Sequence, residues 1–122
     1  MRIKKTKFDG IFLITPNVIE DRRGYFFESY RSDNFTQNSI PTKFVQENHS
    51  HSVKGVLRGM HFQIQKPQAQ IVTVIQGKIF ESVVDVRKKS RTFGKWHGVI
   101  LYANTLQSQV YMSPGFAHGL CV

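Results

Sequence analysis

Cysteine is all but absent: Cys121 is the one copy in 122 residues, which excludes an internal disulfide and fits a reducing compartment. Proline occurs four times, too rarely for a Pro-rich linker or a low-complexity tract. Long apolar runs are missing as well. Those at residues 11–14 and 99–102 fall far below the roughly 20 residues that carry a helix across a bilayer. The N-terminus is basic (Arg2, Lys4, Lys5, Lys7), but Asp9 and Gly10 follow it rather than the apolar stretch of an export signal. These absences predict a soluble cytoplasmic protein with no membrane partner.

Acidic residues are the last shortage, 8 Asp+Glu against 17 Lys+Arg, for a formal charge of +9. Such a balance favours anionic partners, from nucleic acid to a phosphorylated small molecule. The cations are spread over separate segments (Arg22 and Arg23, Arg58, Arg87 to Lys89, Lys95), with no basic helix and no nucleic-acid motif. That spread argues against nucleic acid. Apolar residues at 40% and charged ones at 20% are ordinary globular composition. The length suits one domain over 1–122, large enough to fold without metal or disulfides.

Hydrophobic periodicity is close to two. Residues 71–75 (IVTVI) and 79–87 (IFESVVDVR) flank Gln76, Gly77 and Lys78, which predicts a hairpin of two strands around a Gly-containing turn. Further strands are expected at 10–14, 25–30, 99–102 and 109–112, with turns at 20–24, Asn104 and 113–115. A single short helix is expected at 31–38, capped by Ser32 or Asp33. Short strands separated by turn signals predict an all-β sandwich or barrel.

Catalytic residue types concentrate in residues 46–63, QENHSHSVKGVLRGMHFQ. In a regular strand Arg58 and Met60 share one face while Gly59 and His61 share the other. Arg58 and His61 both reach one pocket only if the strand twists or bulges, which Gly59 permits. His49 and His51 would lie on one strand face, a spacing that can ligate zinc, iron or copper given further ligands such as His118 or His61. The polar neighbours Glu47, Asn48, Ser50 and Ser52 favour a solvated turn there instead. His118 follows a Ser-Pro-Gly turn between Gly115 and Gly119, where the backbone can approach a strand or a ligand closely.

Six segments, in order, resemble the dTDP-4-dehydrorhamnose 3,5-epimerases: DRRGYFFE (21–28), FVQENHS (44–50), GVLRGMHFQ (55–63), VDVR (84–87), SRTFGKW (90–96) and PGFAHG (114–119). The resemblance implies a cupin-type jelly-roll with at most one or two short helices, and a homodimer in which a segment such as residues 5–14 covers the partner's edge. It implies proton abstraction beside the C4 ketone of a dTDP-4-keto-6-deoxy sugar, inverting C3, C5 or both. No metal or redox cofactor is implied, so the His49 and His51 pair is incidental. His61 takes the place of the base, and an imidazole with an unperturbed pKa near 6.5 suits that work. Arg58 and His118 match positions beside the sugar or its enolate oxygen. Arg23, Glu28, Gln46 and Asn48 match positions that bind nucleotide and sugar, where the planar fork of arginine suits a diphosphate.

Two departures from the family stand out. Gln70 occupies the place of a lysine that stabilises the enolate, and an amide gives a weaker bond to an oxyanion than a cation does. The family's tyrosine acid and the carboxylate partner of its base lie beyond the position matching Val122, so the chain reads as truncated at its C-terminus. These departures keep other readings open: a binding-only or inactive member, or a related isomerase or single-site epimerase. A metal-dependent cupin dioxygenase using His49 and His51 is a further rival.

Overall fold

The computed structural model describes residues 1–103 and 108–122. In chain order the elements are β1 (Arg2–Lys5), β2 (Ile11–Thr15), β3 (Val18–Asp21), β4 (Gly24–Phe27), α1 (Ser32–Gln37), β5 (Leu57–His61), β6 (Gln70–Thr73), β7 (Lys78–Asp85), β8 (Trp96–Tyr102), β9 (Gln109–Met112) and β10 (Phe116–Cys121). One sheet has the order β1-β2-β9-β6 and the other β5-β10-β7-β8, while β3 and β4 form a separate hairpin. Every pairing is antiparallel. This is the all-β jelly-roll sandwich, with one short helix among the described residues, that the turn spacing and the resemblance predict.

Alternation decides which side chains enter the core. Along β8, Val99 and Leu101 are buried while Trp96, Ile100 and Tyr102 are exposed, as the two-residue period of a half-buried strand requires. Val83 and Phe116 join them from the same sheet, and Ile11, Val110 and Met112 face them from the other. Phe8, on the β1–β2 connection, packs into this core against the ring of His97. Among the described residues the buried His97 Nε2 has no hydrogen-bond partner, and burial followed by the Lys7 charge pushes its pKa down. A second cluster (Ile14, Phe35, Ile40, Tyr111) lets α1 cover the outer side of the first sheet.

Several expectations are corrected. Residues 71–75 and 79–87 do not form a hairpin: β6 pairs with β9 and β7 with β8 and β10. The connection crosses between sheets, with Val74 N–H donating to Ser108 and Gly77 accepting from Ala103. A turn signal fixes a reversal, but strand partners are set by which apolar faces close the core. The helix cap is Arg31, with no side-chain cap bond, rather than Ser32 or Asp33. Residues 5–14 hold the end of β1, a turn and β2, and β2 already pairs with β9 in the same chain. The basic strand β1 and the hairpin strand β3 were not expected. Strand 25–30 ends at Phe27, and the Asn104 turn lies outside the described residues. His49 and His51 stand in an exposed stretch without regular structure, so no strand places them on a common face.

Candidate active site

A bulge builds the site. On β10 the register steps two residues, from His118 to Leu120, while β5 steps three, from His61 to Arg58. The extra residue turns Arg58 and His61 to the same side of β5, as their spacing demands if both are to serve one pocket. Two glycines make room for it. A Cβ on Gly59 (φ +101) would come within 2.7 Å of the Gly119 Cα, and one on Gly119 within 2.7 Å of the Arg58 carbonyl oxygen.

His61 and His118 are direct cross-strand partners on β5 and β10. Both line an open pocket together with Gln63, Gln68, Gln70 and Phe116. Gln70 arrives from the other sheet, where it pairs with Met112 and shares the inner face with Val72. The pocket thus lies between the sheets, with one imidazole on each of two neighbouring strands and an amide across from them. Its lining combines ionisable and amide groups with apolar Pro67, Phe62 and Phe116, the usual makeup of a small-molecule site.

Behind His118 stands a carboxylate that the sequence reading did not single out. His118 Nδ1 lies 2.8 Å from Glu81 Oε1, and Glu81 is fully buried. A signal for it exists: in 79–85 (IFESVVD) period two puts Glu81 and Asp85 on the face of buried Val83. Asp85 anchors the other wall. It accepts hydrogen bonds from Arg87, Ser90 and Thr92, and the Arg87 guanidinium lies 4.4 Å from the centre of the Phe116 ring.

The remaining expected residues stand apart from this lining. Arg23 lies at the β3–β4 turn, its side chain exposed and paired with Asp21 at 2.6 Å, and its hydrogen bonds hold the Asp21 pKa below the usual carboxylate value. Glu28 contacts Arg31 and Asn34. Gln46 donates to Asn48 at 3.1 Å in the exposed stretch before β5. Arg58 donates to the Ser52 hydroxyl at 2.9 Å. The structure therefore joins His61, Gln70 and His118, brings Arg58 to the same face, and leaves Arg23, Glu28, Gln46 and Asn48 at the surface.

Residues 5–122 match the family model described as dTDP-4-dehydrorhamnose 3,5-epimerase. An enzyme of that name from Methanothermobacter thermautotrophicus is 48% identical over 118 residues, covering 97% of this chain and 63% of its own length. A dTDP-4-dehydrorhamnose 3-epimerase from Streptomyces niveus is 40% identical, covering 99% of this chain and 59% of its own. Among solved structures, a dTDP-6-deoxy-D-glucose-3,5-epimerase from Legionella pneumophila in complex with dTDP-4-keto-L-rhamnose superposes with a TM-score of 0.92 at 42% identity, covering 99% of this chain and 64% of that one. The chain thus spans somewhat under two thirds of the length of these relatives. With the motifs, the sandwich and the paired histidines all in agreement, the chain belongs to the dTDP-4-dehydrorhamnose 3,5-epimerase family.

Proposed function

We propose that the chain provides the proton-transfer site of an epimerase acting on a dTDP-4-keto-6-deoxyhexose, in deoxysugar synthesis in the cytoplasm. The observation that carries the reading is the His61 and His118 pair, set side by side by the bulge and opposed by Gln70. His61 removes the proton from the carbon next to the C4 ketone. The C–H electron pair becomes the C=C bond of an enolate, and the carbonyl π pair moves to the C4 oxygen. Donors at that oxygen stabilise the enolate, a role for His118 and Gln70. A proton drawn from solvent and delivered to the opposite face restores the ketone with the centre inverted, and His61 returns its proton to solvent. Arg58 lies beside the sugar, and Arg23, Glu28, Gln46 and Asn48 serve the nucleotide and sugar. Nothing in these steps requires a cofactor.

Incubation of the protein with dTDP-4-keto-6-deoxyglucose in D2O, followed by NMR, tests the reading. Deuterium is expected at C3, at C5 or at both. Binding of dTDP with no exchange at either carbon would leave a binding-only member. Exchange at one carbon alone would favour the single-site reading, to which the similarity to a 3-epimerase gives support.

A homodimer is part of the proposal. The outer face of the second sheet exposes Phe80, Trp96, Ile100 and Tyr102, with Leu57 on β5, and apolar patches of this kind mark association sites. On a chain of charge +9, an apolar face is where two copies meet with least repulsion. Light scattering at tens of micromolar is expected to give twice the chain mass, and a monomer there would refute the dimer.

A further inference from the structure

We propose, on the epimerase reading above, that Phe116 is a specificity-determining residue: its ring seats the C6 methyl of the sugar and disfavours hexoses that carry a hydroxyl there. A 4-keto-6-deoxyhexose has hydroxyls at C2 and C3, a ketone at C4 and the nucleotide at C1, so the methyl is its one apolar substituent. The pocket is divided in the same way. The side chains of Gln63, Gln68, Gln70, His61 and His118 offer hydrogen bonds, while those of Phe62, Pro67 and Phe116 offer none. Phe62 is 54% exposed and Pro67 lies in an exposed stretch. Phe116 is 8% exposed and belongs to the core between the sheets, which makes it the apolar side of the pocket's inner wall.

Register decides which part of the sugar meets that wall. Phe116 and His118 stand opposite Asp85 and Val83 on β7, two residues apart on one face of β10, at a spacing of about 6.6 Å. With His118 at the C4 oxygen, Phe116 reaches a substituent that flanks the ketone, either the C3 hydroxyl or the methyl carried by C5. A hydroxyl buried against the ring loses its water and gains no partner, so the methyl takes that place. The wall is also held firm. The Arg87 guanidinium lies 4.4 Å from the centre of the Phe116 ring, and Asp85 accepts from its Nε at 2.9 Å and its Nη2 at 2.8 Å. A Cβ on Gly115 would run into the Arg87 stem, so the turn before Phe116 passes directly over that side chain. Gripped in this way, the ring does not swing aside to let a polar group and its water in.

The test measures binding of dTDP-6-deoxyglucose and dTDP-glucose by calorimetry. The two differ by the C6 hydroxyl alone, and neither has the ketone that turnover requires. The wild type is expected to bind the 6-deoxy sugar about 10–100-fold more tightly, the penalty for a buried hydroxyl without a partner. In Phe116→Ala the preference is expected to fall below about threefold, because water enters with the hydroxyl and pairs with it. Equal binding of the two sugars by the wild type, binding of neither, or an unchanged preference in Phe116→Ala would overturn the assignment. Should the alanine variant not fold, the wild type decides by NMR. With dTDP-6-deoxyglucose bound, NOE cross-peaks are expected from the C6 methyl to the Phe116 ring, whose signals are identified by their loss in Phe116→Leu. Methyl cross-peaks to Phe62 alone would refute Phe116 as the seat. A wild type that keeps the 6-deoxy preference yet exchanges no deuterium into dTDP-4-keto-6-deoxyglucose would refute the epimerase reading and leave the methyl seat standing.

Discussion

His61→Asn is expected to reduce deuterium exchange by about 10²–10⁴-fold, the contribution typical of a general base, while dTDP affinity stays within a few-fold. The separation of the two effects follows from where His61 sits. It is exposed at the end of β5, beside the bulge that turns it toward the pocket. Asparagine is short and polar enough to occupy that strand position, and it has no group that takes up a proton near neutral pH. Because the His61 side chain contributes little to the core, a thermal melt is expected to move by no more than the small shift of a surface substitution. A matched loss of exchange and nucleotide binding would make His61 a binding residue, and a large fall in melting temperature would make it a structural one.

That β5 must twist or bulge was legible in the sequence because the parts are local, and the register shift shows which of the two it does. Arg58 and His61 are three apart, a period-two strand separates them, and Gly59 stands between to permit the turn. The identity of strand partners was less accessible. The Gln76 to Lys78 turn looks the same whether its flanking strands pair or diverge, and the outcome depends on β9 and β10, some 30 residues further on, closing the two sheets. Glu81 was hidden for a different reason. The face on which it lies was readable from alternation, but a lone carboxylate on a core face gains meaning only when His118 arrives on the neighbouring strand. For Arg23, Glu28, Gln46 and Asn48 the family motifs carried the assignment. Their segments are exposed and largely held by local bonds, so one chain's packing does not bring them to the pocket.

Asp85→Ala is expected to destabilise the fold by about 3–5 kcal/mol, the usual result of removing one partner of a buried ion pair. That is a large part of the roughly 5–15 kcal/mol available to a domain of this kind, and corresponds to a fall in melting temperature of about 10–25 °C. Asp85 has 0% exposure, and its oxygens accept from Arg87 Nε at 2.9 Å, from Ser90 Oγ at 2.6 Å and from Thr92 Oγ1 at 2.6 Å. Its backbone also binds the returning chain, Asp85 N–H to Lys95 and Gly94 N–H to Asp85. Alanine would leave those donors facing a void and free the Arg87 side chain that lies against Phe116, so the pocket wall beside His118 would loosen as well. The pH dependence carries the same information. Burial on its own would raise the Asp85 pKa, but the hydrogen bonds from Arg87, Ser90 and Thr92 together outweigh it and hold the group well below the usual carboxylate range. The depressed value means that the stabilisation is complete above the unfolded-state pKa of about 3.9 and is lost as pH falls below it. Wild-type stability, measured by urea unfolding between pH 7 and pH 3, is therefore expected to fall more steeply toward acid than that of Asp85→Ala. Arg91→Ala, which removes an exposed pair with Asp9 at 3.4 Å, is the control and is expected to change stability by less than about 1 kcal/mol. Equal effects of the two substitutions, or parallel pH profiles for wild type and Asp85→Ala, would show that the cluster does not hold this end of the sandwich together.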